Sequence, residues 1–376
     1  MPILQTARRL LQLFFRSLFW SLNIGLVLYT LLAYWLLYDL LVQHWSASMV
    51  MITLPVAWVL NGLYVALWLF ANRWRAVLSG LTLLAGFWLW PRTLALNTAE
   101  PNNGREPTLS LLSYNVANFR SDEFYNTPPK RKKAQQITDW VVEHEAPVKC
   151  FQEFYNSQRH PTLHMAKRLR DAGYRYEAML NPYYFQVPDC FIGVAIYSKY
   201  PIVQQGREPF EQHTHNGIVW ADIAVGTDTI RIVNVHLESM GIRVGRVLKQ
   251  EEMAGVRAET RGILSLLREG FMARQGQIRR VENYITGSRY PVIVTGDFND
   301  TPYSVTYGRM RQRFSNAFEE AGQGFGFTLN RAPNFLRIDN QFYDATRLTA
   351  HQFKTYRDVP FSDHFPIWGE YLMRGE

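Results

Sequence analysis

VIVTGDFND, Val292 to Asp300, sets β-branched residues in front of a glycine, an acid, an amide and a second acid. A short apolar, β-branched run closed by turn-forming residues reads as a buried strand whose end is open to a ligand. Four more stretches have the same character: LSLLSYN (Leu109 to Asn115), CFQE (Cys150 to Glu153), IVNVHLES (Ile232 to Ser239) and FSDHFP (Phe361 to Pro366). Each reads as a strand-like piece with an oxygen or nitrogen ligand at its C-terminal mouth. The expectation is one site assembled from five strand ends.

Working outward, further strands are expected at 190–198 and 218–225, beside 108–115, 147–153, 229–237 and 291–297. Between them lie helical patterns: Lys132 to Glu145 with Ile137, Trp140 and Val141 at helical spacing, Thr162 to Ala172, and a long amphipathic stretch from Gly245 to Thr286. Strands mixed with helices point to an α/β fold of two sheets packed face to face with helices outside. No internal repeat interrupts the pattern.

The first quarter is a different kind of polymer. It holds eight of the eleven tryptophans, six arginines, no lysine and one acid, Asp39. Ser17–Val42 and Met49–Ala71 are apolar except for Asn23, Asp39 and Asn61, and a third run goes from Ala76 to Trp90. A bilayer core needs about 20 apolar residues, so about three transmembrane helices are expected. The first run is too long for a signal peptide, whose apolar region is about 7–15 residues. Arg8, Arg9 and Arg16 precede run one, and Arg73 and Arg75 separate runs two and three. The positive-inside rule then puts the N-terminus in the cytoplasm and, after three spans, the remainder on the outer side. Residues 1–96 are read as the membrane region, 97–107 (NTAEPNNGREP) as a turn-rich linker, and 108–376 as the catalytic domain.

The formal charge of +8 gives little support to a nucleic-acid surface, because residues 1–99 carry +5 of it on arginines flanking apolar runs. Lys130 to Lys133 is a compact basic cluster, read first as a solvated helix start. Gly245–Thr286 interleaves arginines with glutamates and reads as a mixed-charge face. Cys150 and Cys190 lie in apolar runs, belong to no zinc spacing, and read as two small buried side chains whose pairing stays open.

The strand ends carry the chemistry. A phosphoester resists water because its anionic oxygens repel the nucleophile and its alkoxide leaves poorly; a hard cation held by oxygen ligands relieves both. Glu153 is a natural carboxylate ligand, Asn115 supplies a neutral amide oxygen, and Asp363 can reach a metal. Asp297 and Asn299 stand two apart, so an extended chain turns them the same way, able to hold and activate one water. His364 can donate to a phosphate oxygen, Asp339 can bind its other ring nitrogen and raise its pKa, and His236 adds a second donor.

The order and identity of these residues resemble the endonuclease/exonuclease/phosphatase superfamily over residues 108 to about 372. SYN corresponds to its metal-site asparagine, QE to its metal glutamate, and NVHLES to its phosphate-facing histidine. GDFND, RID and SDH supply the water pair, the histidine-supporting acid, and the terminal acid with the catalytic histidine. The resemblance implies a four-layered α/β-sandwich and Mg2+-dependent hydrolysis, with Mn2+ as a second candidate ion, by in-line attack of water. GDFNDTPYSVTY with GQGFGFT is similar to a membrane-anchored bacterial branch; with the apolar runs and the arginine placement above, the expectation is a multi-pass protein of the bacterial inner membrane with its catalytic domain on the periplasmic side. Asn340-Gln341-Phe342 departs from the Tyr-Ile or Tyr-Val that follows RID in many relatives, and bears on the strand behind Asp339. The expected substrate is a phosphoester, either nucleic acid or a phospholipid or phosphorylated small molecule. The expected contact with the bilayer is through the N-terminal helices, and no protein partner is inferred. A scaffold that kept the fold without catalysis would lack a ligand of the set, and none is missing.

Overall fold

The computed structural model describes residues 2–98, 109–180, 190–211, 214–239 and 253–374. It divides into two compact units, Met1–Trp90 with Tyr303–Gly308, and Pro91–Pro302 with Arg309–Glu376. The linker at 97–107 and the start of the long helical pattern at 245 fall almost wholly outside the described residues.

The first unit contains helices α1 (Pro2–Asp39), α2 (Trp45–Ile52), α3 (Leu54–Ala71) and α4 (Arg73–Ala85). The two amides that interrupt its apolar runs, Asn23 and Asn61, face inward, while Asp39 at the end of α1 is half-buried. Asn23 donates to Ser79 Oγ at 2.6 Å and accepts from Trp68 Nε1 at 3.0 Å, so one amide ties α1 to α4 and α3. Asn61 donates to Thr30 Oγ1 at 2.9 Å. Large apolar side chains point outward instead, Phe70 being 95% exposed, with Leu28, Val59 and Leu63 also exposed. Two helical segments, Arg9–Asp39 and Leu54–Ala71, are long and apolar enough to cross a membrane. The third run is not one such helix: α4 stops after 13 residues, about 20 Å, and a 3-10 helix, Phe87–Arg92, follows. Gly86 and Pro91 break the regular helix there.

In the second unit, strand β1 (Leu94–Leu96) pairs with β11 (Gln323–Phe325), so residues 94–96, read from the sequence as part of the membrane region, belong to this unit. The other strands are β2 (Leu109–Asn115), β3 (Val148–Ser157), β4 (Tyr176–Leu180), β5 (Cys190–Ser198), β6 (Ile202–Pro209), β7 (Gly217–Val225), β8 (Asp228–His236), β9 (Val292–Asp297), β10 (Ser315–Asn316), β12 (Asp339–Tyr343), β13 (Leu348–Thr355) and β14 (Ile367–Met373). They form two mixed six-stranded sheets, ordered β13-β14-β2-β3-β5-β4 and β10-β12-β9-β8-β7-β6. Helices α5 (Ser121–Asn126), α6 (Arg131–Glu143), α7 (Met165–Asp171), α8 (Met253–Thr286) and α10 (Ala317–Ala321) flank them, and α9 spans Val305–Arg311.

Strand alternation builds the layers. Leu111, Cys150 and Ile196 of the first sheet meet Val219, Ala221, Ile232 and Ile293 of the second in one core. Tyr114, Phe151 and Tyr197 point the other way, against Ile137 and Val141 of α6 and Leu169 of α7. Polar struts cross the inter-sheet core. Gln152 Nε2 donates to Asn234 Oδ1 at 2.6 Å, and Gln341 donates to Leu111 O at 3.3 Å while accepting from Tyr371 OH at 2.6 Å. The polar residue that departs from the family pattern is therefore satisfied inside the core. Both cysteines are free thiols, Cys150 buried and Cys190 partly so.

Candidate active site

Parallel pairing of β2 with β3 and of β8 with β9 brings four C-terminal strand segments to one end of the sandwich. Asn115 closes β2, His236 closes β8 opposite Asp297, and Asp297 closes β9. Glu153 lies within β3, at a β-bulge between Phe151 and Phe154, with φ 51°. The extra residue re-aims its carboxylate out of the ladder and into the cleft. Gly296 is required by close approach: a Cβ there would stand 2.0 Å from Val235 O.

The remaining site residues arrive differently from the sequence reading. Asp339 begins β12, which runs antiparallel to β9 and places it opposite Asp297. Asp363 and His364 precede β14, itself antiparallel to β2. These groups sit at N-terminal ends because antiparallel neighbours bring their starts to the same edge. Asn299 is also no extension of β9. With φ 48° it turns back, its N–H donating to Asp297 Oδ1 at 2.8 Å. Its Nδ2 donates to Leu237 O at 2.9 Å, which leaves Oδ1 as its free acceptor.

At the centre, Asn115 Nδ2 donates to Asp297 Oδ2 at 3.0 Å and Glu153 Oε1 at 3.2 Å, while its Oδ1 accepts from Ala117 N at 3.1 Å. Asp297 Oδ2 lies 3.6 Å from His364 Nε2 and 3.7 Å from His236 Nε2, and Glu153 Oε1 lies 4.0 Å from His236 Nε2. Behind His364, Asp339 Oδ2 meets Nδ1 at 2.9 Å. Thr328 Oγ1 accepts from the N–H groups of Ile338 and Asp339 and fixes that carboxylate's backbone.

The two histidines are unequal. Burial disfavours a charged His364, yet Asp339, Asp297 and Asp363 outweigh it and push its pKa up to about 10. Burial raises the Asp339 carboxyl, and the His364 cation opposes that. His236 Nδ1 is buried with no hydrogen-bond partner among the described residues.

A cleft of about 450 Å³ opens here, lined by Glu153, His236, Asp297, Asn299, Asp363 and His364. Thr214, His215, Asn216, Ser239 and Arg331 also line it, and no pattern in the sequence singles them out. His215 precedes β7, whose antiparallel pairing with β8 sets Gly217 opposite His236. Neutral imidazole is favoured at His215, chiefly by burial. Arg331 Nη1 lies 3.4 Å from Asp363 Oδ2. The signal for His215 is present only in the pairing direction, since the starts of antiparallel strands also reach this edge, whereas Arg331 lies in the segment before β12, next to Asn330, whose N–H donates to Asp363 O at 2.7 Å.

The ligand atoms of Asp297, Asp339 and His364 lie within 4.8 Å of one another. A metal is a poor occupant of that group, because Asp339 faces the Nδ1 edge of His364 and Asp297 the Nε2 edge, and the raised pKa keeps both ring nitrogens protonated. Asn115, Glu153 and Asp363 fit one better. Glu153 and Asp363 are partly exposed carboxylates on the cleft, and the Asn115 oxygen keeps a second lone pair. An all-oxygen anionic set of this kind suits Mg2+ or Mn2+. Of the basic cluster, Lys130 lies 3.7 Å from Glu123, which lines a second pocket together with Asp363, and Arg131 opens α6.

Residues 112–364 match the Endonuclease/Exonuclease/phosphatase family. The chain belongs to that family. It is accordingly a hydrolase acting on phosphoester bonds, in a family that generally uses a divalent metal. Residues 16–93 match a domain of unknown function (DUF8431). None of the curated proteins compared with the chain matches it. Among solved structures, the human Nocturnin catalytic domain with bound sulfate is similar at 14% identity, over 71% of this chain and 94% of that one, with a TM-score of 0.50. A family protein from Bacteroides thetaiotaomicron is 18% identical over 72% and 100% of the chains, with a TM-score of 0.49. One from Beutenbergia cavernae DSM 12333 is 15% identical over 71% and 72%, also at 0.49. At these identities the likeness is one of fold.

Proposed function

We propose that this chain is a membrane-anchored, divalent-metal-dependent phosphodiesterase, nuclease-like in its chemistry, that directs an activated water in line at phosphorus. The observation that carries the reading is the meeting of Asp297, Asn299, His236 and the His364–Asp339 pair around one cleft. Asn115, Glu153 and Asp363 would hold Mg2+, with Mn2+ as the alternative. The ion would neutralise the phosphate and stabilise the leaving oxygen. Asp297 takes a proton from the water, and Asn299 Oδ1 orients that water. His364 donates through Nε2–H to a phosphoryl oxygen, while Asp339 holds its Nδ1–H. His236 donates through Nε2 from the other side, which requires the proton on that nitrogen.

The same reading anchors the chain in a bacterial inner membrane. Outward apolar side chains around inward amides support it, because lipid reverses the usual placement. Only Asn72 separates α3 from α4, so the chain folds back at once. In this reading α4, about 20 Å long, and the apolar residues 87–90 after it cross the hydrocarbon core of about 30 Å together. That makes a third crossing, and with Arg8, Arg9, Arg16, Arg73 and Arg75 cytoplasmic it puts the catalytic unit on the periplasmic side. An anchor of this kind also favours a second reading, a phospholipid or phosphorylated small molecule as substrate.

The test is turnover by the full chain in detergent with Mg2+ on plasmid DNA, RNA, sphingomyelin and phosphoinositides, with Asp297→Ala and His364→Ala as controls. Hydrolysis of nucleic acid that EDTA and both substitutions abolish supports the nuclease-like reading. Preference for a lipid shifts it to the second reading. Turnover that survives both substitutions removes the mechanism.

A further inference from the structure

Two consecutive residues just after His236 are gripped from opposite sides. Leu237 donates its N–H to Asp297 O at 2.9 Å, and its carbonyl accepts from Asn299 Nδ2 at 2.9 Å. Glu238 turns both of its backbone groups to α8 instead. Its N–H donates to Gln277 Oε1 at 2.8 Å, and its carbonyl accepts from Arg274 Nη1 at 3.0 Å. Arg274 is fully buried, and its Nε reaches Asp300 Oδ2, the last residue of GDFND, at 3.2 Å. The Glu238 carboxylate accepts from Asn216 Nδ2 at 2.8 Å, beside His215.

We infer that Arg274 and Gln277 are positioning residues, which set the aim of Asn299 and His236 by clamping the Glu238 backbone to α8. The inference rests on the hydrolytic roles proposed above. Arg274 and Gln277 stand three apart on one helix, so they share a face and act on one residue. An asparagine amide has nearly the same shape when its oxygen and nitrogen exchange places, so its direction is set by what its nitrogen finds. For Asn299 that partner is Leu237 O, and the position of Leu237 follows from the clamp on its neighbour. When the segment slides, Asn299 is free to present nitrogen, a donor, where the water needs an acceptor. A misplacement on the order of 1 Å costs about 100-fold in rate. Stability alone would not select this arrangement, since a buried ion pair is commonly matched or bettered by apolar residues of similar volume.

The test compares Gln277→Leu, Gln277→Glu and Arg274→Lys in the full chain in detergent. Glutamate keeps an oxygen for the Glu238 N–H, and leucine removes it. On bis-p-nitrophenyl phosphate with Mg2+, Gln277→Leu is expected to lose about tenfold or more in kcat with KM changed less than about twofold, while Gln277→Glu stays near wild type. Equal kcat for the two variants, or a loss carried by KM, overturns the inference. If Gln277→Leu does not fold, Arg274→Lys carries the same comparison, with an unchanged kcat as the overturning result. Hydrogen exchange at residues 237–239 reads the clamp without turnover. Faster exchange in Gln277→Leu, but not in Gln277→Glu, is expected, and unchanged exchange overturns the clamp. Should the wild type hydrolyse nothing, the exchange result still decides the clamp, and only the hydrolytic reading fails.

Discussion

Asp339→Asn isolates the charge behind His364 while keeping the shape of the side chain. The pair is 2.9 Å apart and nearly inaccessible, at 5% and 3% side-chain exposure. The rise of His364 from 6.5 to about 10 corresponds to about 5 kcal/mol in favour of imidazolium, achieved against the cost of burial. Asp339 is the largest contributor to that rise and Asp297 the next. If Asp339 supplies about half, its removal withdraws about 2–3 kcal/mol, which moves the alkaline limb about two pH units toward acid and costs kcat up to about 100-fold at alkaline pH, with little loss at neutral pH. Asparagine still accepts from Nδ1–H, so KM should move little. Because the raised pKa keeps the cation present up to alkaline pH, losing Asp339 shifts the alkaline limb of the kcat profile toward acid. Steady-state kinetics from pH 5.5 to 10, on a variant shown to be folded, provide the assay. A kcat within threefold of wild type with an unmoved alkaline limb would refute the reasoning. Asp339→Ala is the poorer probe, since an uncompensated buried cation costs about 3–5 kcal/mol of folding stability.

Glu153→Gln should weaken Mn2+ binding at least about tenfold by calorimetric titration without lowering thermal stability, and unchanged affinity would remove Glu153 from the metal site. His144 accepts from Ala146 N at 3.2 Å and sits in a setting that pushes its pKa down to about 4, chiefly by burial and then by Lys149 and Lys354. The unfolded chain then takes up the proton first, so this contribution is complete above about pH 6.5 and is lost as pH falls toward about 4, by up to about 3 kcal/mol. Urea unfolding at pH 7 and pH 4.5 should show a smaller pH difference in His144→Gln than in wild type. Gln341→Leu strands Tyr371 OH inside the core and should cost about 1–3 kcal/mol of stability, read as a lower Tm, while kcat of the folded protein is preserved.

Residues whose chemistry is carried by type and local order are legible in the sequence itself. GDFND announces itself because a strand that ends in glycine, acid and amide has few purposes. The strand at 190–198 is a nearly continuous apolar run, as a strand buried on both faces should be, while those at 109–115 and 228–236 carry β-branched or leucine-rich runs interrupted by Ser113, Arg231 and Asn234. Strands β6 and β13 alternate with polar residues and do not stand out in the sequence, and β12 carries Asn340 and Gln341, whose polarity hides a fully buried strand. Glu153 reads as a strand-end residue because a bulge has no sequence signature here. His215 and Arg331 escape a sequence reading for a different reason. The place of His215 depends on which way neighbouring strands run, and that of Arg331 on a connecting segment held at Asp363; both are tertiary properties. The third apolar run shows the limit of counting hydrophobicity, since Gly86 and Pro91 end the regular helix before it is long enough alone.

The account's central claim is that water, positioned by Asp297 and Asn299, attacks phosphorus. The full chain in detergent, given Mg2+ and bis-p-nitrophenyl phosphate in 18O-enriched water, tests it directly by mass spectrometry of the products. The account predicts one 18O in the phosphoryl product, none in the released nitrophenol, and no reaction with Asp297→Ala. Label in the nitrophenol, or labelled phosphoryl product formed at the wild-type rate by Asp297→Ala, would contradict it.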